Sequence, residues 1–282
     1  MKPLAAGARE LRAFGCAVLR GCLPAADVEA LRAAFDRTMA DAPRFDQFGD
    51  AGSRMRSHAE DVDPVFARLI GRPDVLAALG ELLGAPALFL GSFLLHNCDD
   101  TPWHTTGMPG EGPETLRVSI YLDASDADEG GALQVIAGSH LREYNQLLFE
   151  QFGRFEGPGT RLELPARAAP GALEIATRPG DVVVWYTRLW HAAYRRHDGG
   201  ARRGIFLTYV QDPAGDRRLC EKLRRTAAGI VRPQRQYLYG PSLVEHGGDG
   251  IRAMARRLTE LGVRDVLPDA FTSDASECRA AS

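Results

Sequence analysis

Two histidines, His104 and His191, stand far apart in the chain, each at the end of a segment with strand character. A neutral imidazole offers one lone pair to a metal, and histidine is the commonest metal-binding side chain. Iron enzymes built on β folds commonly set two imidazoles and one carboxylate on one face of the metal, leaving the opposite positions for oxygen and a co-substrate. Two of those three groups are visible here. A single histidine is more often a packed core residue than a ligand, so the weight lies on the pair and its surroundings. His58, His96, His197 and His246 have no such surroundings and read as surface or core residues, and His140 ends a turn, Ala137-Gly138-Ser139-His140.

The elements that must carry the pair are predominantly β. From Pro86 onward, apolar or alternating runs are separated by turn residues: Ala87 to Leu95, Leu116 to Leu122, Ala132 to Ile136, Gly171 to Ile175, Asp181 to Tyr186 and Gly204 to Val210. Short strands spaced by Asp128-Glu129-Gly130-Gly131 and Arg178-Pro179-Gly180-Asp181 predict a sandwich or barrel. Asp181 reads as a turn residue whose carboxylate caps backbone amides. Before this core lie a short helix, a strand at Phe14 to Leu19, a helix from Leu23 with Val28, Leu31 and Phe35 at helical spacing, a polar loop from Asp41 to Asp63, and helical spacing from Pro64 to Leu83. Leu141 to Ala169 reads as an insertion, either a substrate loop or decoration. Beyond Asp212 the chain is Arg-rich, with an amphipathic helix at Gly250 to Leu261 and a cluster of Lys222, Arg224, Arg225, Arg232 and Arg235 best read as a solvated helix face. We therefore expect one domain over 1–282: a helical lead-in to about 85, a core from about 86 to 212, and a C-terminal extension from 213 to 282.

Composition narrows the class. With 45% hydrophobic and 25% charged residues the chain is an ordinary folded protein, and its net charge of -3 provides no basic field to attract nucleic acid. The start of the chain meets Arg9, Glu10 and Arg12 before any long apolar run, so neither a signal peptide nor a membrane span is expected, and the location is read as cytoplasmic. Five cysteines, odd in number and without a Cys-x-x-Cys pair, predict reduced thiols rather than zinc or disulfides. Oligomeric state is not readable.

Several segments, in order, carry a resemblance: Phe14 to Leu31, Pro102-Trp103-His104, Val118-Ser119-Ile120-Tyr121-Leu122-Asp123, Gly130 to His140, Pro179-Gly180-Asp181, Arg188-Leu189-Trp190-His191 and Arg202 to Val210. Together they resemble the phytanoyl-CoA dioxygenase (PhyH) family of iron(II)- and 2-oxoglutarate-dependent oxygenases, over most of residues 10 to 212. The resemblance implies a mainly β fold with flanking helices around a double-stranded β-helix, the cupin-like jelly roll. It also implies Fe(II) and 2-oxoglutarate as cofactors and a small-molecule substrate. His104 would be the first iron ligand, His191 the distal one, and Arg202 the partner of the distal carboxylate of 2-oxoglutarate, a task suited to a planar guanidinium. Arg203 is its neighbour, and strand alternation lets only one of the two face the barrel. Asn97 is a further polar contact to the co-substrate if alternation holds through Leu95.

The pattern breaks in two places. The family's His-x-Asp is here His104-Thr105-Thr106, so the carboxylate ligand is replaced by the hydroxyl of Thr106. Some members carry a serine two residues past the distal histidine, where this chain has Ala193. Three functions fit these facts. One is an oxygenase, using either two histidines alone or another acid, with Asp99, Asp100 and Glu111 nearby in sequence. The second is an iron halogenase, in which chloride takes the position left open at Thr106, although Thr is bulkier than the small residue usual there. The third is a PhyH-like protein without oxygenase activity, binding a small molecule or catalysing redox-neutral chemistry.

Overall fold

The computed structural model describes residues 4–45, 52–106, 112–126, 128–156, 159–164, 169 and 171–271. The chain divides into two compact units. The first comprises residues 1–57, 93–111 and 115–206; the second comprises 58–92, 112–114 and 207–282. Among the described residues the elements run α1 (Leu4–Phe14), β1 (Cys16–Leu19), α2 (Ala25–Met39), β2 (Arg54–Ser57), α3 (Pro64–Ile70), α4 (Pro73–Leu83), β3 (Ala87–Asn97), β4 (Thr101–Thr105), β5 (Thr115–Tyr121) and β6 (Leu133–Ile136). They continue with α5 (Arg142–Phe152), β7 (Gly153–Glu156), β8 (Gly159–Leu162), β9 (Ala172–Ile175), β10 (Val182–Tyr186), β11 (His191–Ala193), β12 (Arg202–Gln211), α6 (Arg217–Gln234), α7 (Pro241–His246) and α8 (Gly248–Glu260).

Two six-stranded sheets form, ordered β1-β10-β5-β12-β3-β2 and β7-β8-β4-β11-β6-β9. The strands pair antiparallel, and apart from β2–β3 and β7–β8 no two sheet neighbours are consecutive in sequence, which is the interleaved order of a double-stranded β-helix. In the first unit, Tyr121, Val183, Trp185 and Phe206 of one sheet pack with Leu133 and Val135 of the other. A second apolar cluster lies against α5, where Trp103, Trp190 and Ala192 meet Leu148 and Leu162. Trp103 and Trp190 are thus core residues, as large aromatics on barrel strands usually are.

The second unit buries Phe66, Ile70, Leu79, Phe89, Tyr209, Tyr239, Leu243, Ile251 and Leu258. Tyr209 Oη donates to the Ile70 carbonyl at 3.0 Å and Tyr239 Oη to that of Phe89 at 2.8 Å, so both buried phenols are satisfied.

The sequence expectations meet the structure with four differences. The helical spacing from Pro64 to Leu83 is realised as two helices, because Pro73 has no N–H to continue α3 and biases the residue before it away from helix. The polar stretch from Asp41 contains β2, which pairs with β3, and a 3-10 turn at Ala59–Asp61. The insertion at Leu141–Ala169 is no appendage: β8 pairs with β4 and places Thr160 and Arg161 opposite Thr105 and His104. Arg235 leaves the solvated face assigned to its cluster. Its side chain is 8% exposed and bonds the fully buried Glu60 at 3.0 Å, Asp61 at 2.6 Å and His58 Nδ1 at 2.7 Å.

Candidate metal centre

His104 lies in β4 and His191 opens β11, and the two are direct register partners across that antiparallel pair. Their ring centroids are 4.1 Å apart. Alternation along β4 turns His104 and Thr106 to the same side and Thr105 to the other, where its hydroxyl bonds the Thr187 carbonyl at 3.1 Å. The backbone N–H of Thr106 also binds the Thr187 carbonyl, at 2.9 Å, which pins the residue that replaces the family's acid.

Both imidazoles are held by backbone two residues before them. His104 Nδ1 lies 2.9 Å from the Pro102 carbonyl, and His191 Nδ1 lies 2.8 Å from the Leu189 carbonyl. A carbonyl only accepts, so the contact at Nδ1 favours a proton there and, for a neutral ring, a lone pair on Nε2, the tautomer a metal requires; His104 also bonds the His191 backbone. Burial pushes His104 down to about 4; the charges of Arg161 and Arg117 add to this, while the Pro102 carbonyl opposes it. Burial also holds His191 well below the ordinary value, followed by the effect of His104 and, weaker, of Arg117. Both rings are therefore neutral at physiological pH.

The pair opens on a cavity of about 310 Å³ within the first unit. Its described walls include Thr101, Thr106, Asn97, Ala193 and Arg202 together with Phe93, Leu95, Leu133, Trp185 and Phe206. His104, His191, Thr106, Arg202 and Asn97 thus line one cavity. Arg202 and not Arg203 faces it: Arg202 is 4% exposed, donates to the Gly131 carbonyl and sits 4.8 Å from the centre of the Tyr121 ring. Arg203 turns to the other side of β12 and pairs with Asp123 at 2.6 Å and Asp36 at 3.3 Å. Gly131 has φ 75°, a conformation that favours glycine and lets its carbonyl meet the guanidinium. Asn97 is tied by its Oδ1 to Ser53 Oγ at 3.1 Å.

No group of three or more His, Cys, Asp or Glu side chains among the described residues could hold a metal ion. Asp100 is engaged by the Arg195 backbone N–H at 2.8 Å, and Asp99 by that of Gly52 at 3.4 Å. Glu111 and Cys278 lie outside the described residues. The donor set fits a metal at two imidazole positions, with Thr106 at the third.

The remaining marked residues are structural. Asp181 accepts from the Gly21 and Arg178 amides at 2.9 and 3.0 Å and pairs with Arg20 at 2.6 Å. His140 stacks on Tyr186 with centroids 5.1 Å apart, and its Nε2 lies 3.1 Å from the Arg12 carbonyl.

Sequence reading missed Arg117 and Tyr121 as cavity residues. In Leu116-Arg117-Val118-Ser119-Ile120-Tyr121 the apolar positions alternate, which ordinarily points the polar ones to water. Leu116, Val118 and Ile120 are indeed buried, but on the far side of β5, and the polar set faces the barrel interior. Nothing local to that strand distinguishes the two cases.

The fold defines the class, a double-stranded β-helix with an imidazole pair at its mouth. The phytanoyl-CoA dioxygenase (PhyH) family model matches residues 11–204, and the chain belongs to that enzyme family. No curated protein sequence matches it. Among solved structures it is similar to the epimerase SnoN in complex with Fe3+, alpha ketoglutarate and nogalamycin RO, at 19% identity and TM-score 0.60 over 74% of this chain and 84% of that one. The carbocyclase SnoK from nogalamycin biosynthesis superposes at 22% identity and TM-score 0.57, covering 73% and 83%. HygX from Streptomyces hygroscopicus, with nickel and 2-oxoglutarate bound, does so at 18% identity and TM-score 0.56, covering 73% and 86%. No helix is long and apolar enough to cross a membrane among the described residues.

Proposed function

We propose that this protein is an iron(II)- and 2-oxoglutarate-dependent oxygenase acting on a small organic molecule of specialised metabolism. The observation that carries the reading is the convergence of His104, His191 and Arg202 on one cavity, with each imidazole Nδ1 held against a backbone carbonyl. When bound, iron and 2-oxoglutarate supply oxidation by molecular oxygen coupled to decarboxylation of the co-substrate to succinate. The chain's own part is placement. His104 and His191 hold the metal from the β4–β11 pair, Arg202 receives the distal carboxylate with Asn97 as a polar contact, and Trp185, Phe93 and Phe206 keep water from the reacting face.

The open third position favours one second reading, halogenation. Thr106 lines the cavity with no carboxylate among its described lining residues, so an external anion such as chloride can complete the metal's charge there. SnoN is an epimerase and SnoK a carbocyclase, both from nogalamycin biosynthesis, which supports a small-molecule substrate with several reaction outcomes open.

Aerobic incubation with iron(II) and 2-oxoglutarate tests the proposal. Slow succinate release without added substrate is expected, abolished in His104→Ala. Binding of 2-oxoglutarate with no succinate under any condition would instead support the PhyH-like protein without oxygenase activity.

A further inference from the structure

One corner of the cavity is built from hydrogen-bond donors. Arg202 opens β12 and Tyr121 closes β5, and the Leu122 amide bonds the Arg203 carbonyl at 3.0 Å, which ties the two strands together beside them. The guanidinium carbon of Arg202 lies 4.8 Å from the centre of the Tyr121 ring, and Phe206 meets that ring edge-on with centroids 6.0 Å apart. Cation–π contact on one side and an aromatic edge on the other fix the ring in place. Arg202, Tyr121 and Phe206 all line the cavity, and Ala193 lines it too but brings only a methyl.

Tyr121 is 1% exposed, and its Oη is buried without a hydrogen-bond partner among the described residues. Ser119, two residues back on the same face of β5, is fully buried and its Oγ is equally without one. Ser119 lies near enough to bear on the ionisation of the phenol. Even a bond drawn between the two hydroxyls would leave one O–H donor unsatisfied, since each carries one. Arg202 does not accept it, because a guanidinium has donors only. An unsatisfied buried hydroxyl is unfavourable, so the corner is complementary to an acceptor that enters from the cavity. Burial raises the pKa of Tyr121, and the Arg202 charge and Ser119 oppose this only in part, so the phenol keeps its proton at neutral pH.

We propose that Tyr121 donates a hydrogen bond to the anionic group that Arg202 receives, so that the distal carboxylate of 2-oxoglutarate is held by a guanidinium from β12 and a phenol from β5; the identity of that anion rests on the oxygenase reading. A guanidinium and a phenol fixed on two paired strands select a 2-oxo acid that carries a carboxylate at its far end. One without it meets neither group.

Anaerobic titration of the iron(II)-loaded protein, read through the metal-to-ligand charge-transfer band, compares 2-oxoglutarate with 2-oxopentanoate, which keeps the 2-oxo acid end and lacks the distal carboxylate. Tyr121→Phe should weaken 2-oxoglutarate about tenfold or more, as loss of a hydrogen bond to a charged group implies, and leave 2-oxopentanoate unchanged. Without either acid, the unfolding midpoint of Tyr121→Phe should equal or exceed that of the wild type, because the variant removes a buried hydroxyl that the protein leaves unsatisfied. Equal 2-oxoglutarate affinity in the two proteins overturns the proposal. Equal losses for both acids do so too, since Tyr121 would then act on the fold or on the metal end of the ligand. A lower midpoint without ligand would show the hydroxyl bonded within the protein and has the same consequence. These outcomes sink the inference alone; a wild type that binds no 2-oxoglutarate removes the oxygenase reading and this inference with it.

Discussion

His104 and His191 are cross-strand partners whose ring centroids lie 4.1 Å apart, each tied through Nδ1 to the carbonyl two residues before it. The pair sits on β4 and β11, with one anchor in β4 and the other in the turn before β11. Replacing either histidine by alanine should remove iron binding while leaving the circular dichroism spectrum intact, because each ring faces the cavity and not the packed core. Retained iron affinity in both single variants would place the metal elsewhere.

Thr106→Asp restores a carboxylate on the same face of β4 as His104. Iron(II) affinity should rise by more than the roughly 10–100-fold that outer-shell partners contribute, measured by competition with a chelator. If the native reaction uses the open position, turnover of native substrate should fall in the same variant. Unchanged iron affinity would mean that position 106 does not reach the metal.

Variants of Arg202 and Arg203 should separate co-substrate binding from stability. Arg202→Met should weaken 2-oxoglutarate by about one to two orders of magnitude, the value of a charged hydrogen bond pair. Arg203→Met should leave that affinity unchanged and lower the unfolding midpoint modestly, since it breaks a half-exposed pair with Asp123. Calorimetry on the two variants side by side decides it, and equal losses would refute the assignment of faces.

Much of this was legible because strand alternation and turn glycines are local. Alternation lets only one of Arg202 and Arg203 face the barrel, the spacing from His191 under the resemblance selects Arg202, and the Asp181 cap follows from its place after Pro179-Gly180. What stayed hidden depends on partners distant in sequence. β4 is too short to announce itself as a strand until β8 and β11 pair with it. Arg117 looks solvent-facing because β5 is buried on both sides and the interior side is the polar one. Glu60 and Arg235 read as surface charges, and only the fold brings them together.

That buried pair has consequences of its own. Burial raises the Glu60 carboxyl, but the His58 hydrogen bond, the Arg235 charge and the Ser92 hydroxyl outweigh it and leave its pKa below the ordinary value. Its contribution to stability is therefore complete above the unfolded carboxylate value and is lost as pH falls through the lower folded one. Arg235→Met should cost about 3–5 kcal/mol, because it strands a buried carboxylate. Arg235→Met combined with Glu60→Gln should recover part of that loss. Urea unfolding across neutral to acid pH measures both, and a variant as stable as wild type at neutral pH would show that the pair carries no net stabilisation.

The central claim is that two imidazoles without a carboxylate hold iron beside 2-oxoglutarate. Anaerobic titration of iron(II) into protein with 2-oxoglutarate, followed through the visible metal-to-ligand charge-transfer band with and without chloride, tests it most directly. The account predicts a saturable band that disappears in His104→Ala and His191→Ala; a band that shifts with chloride selects the halogenase reading. Absence of any band at every concentration of iron and co-substrate would contradict the account.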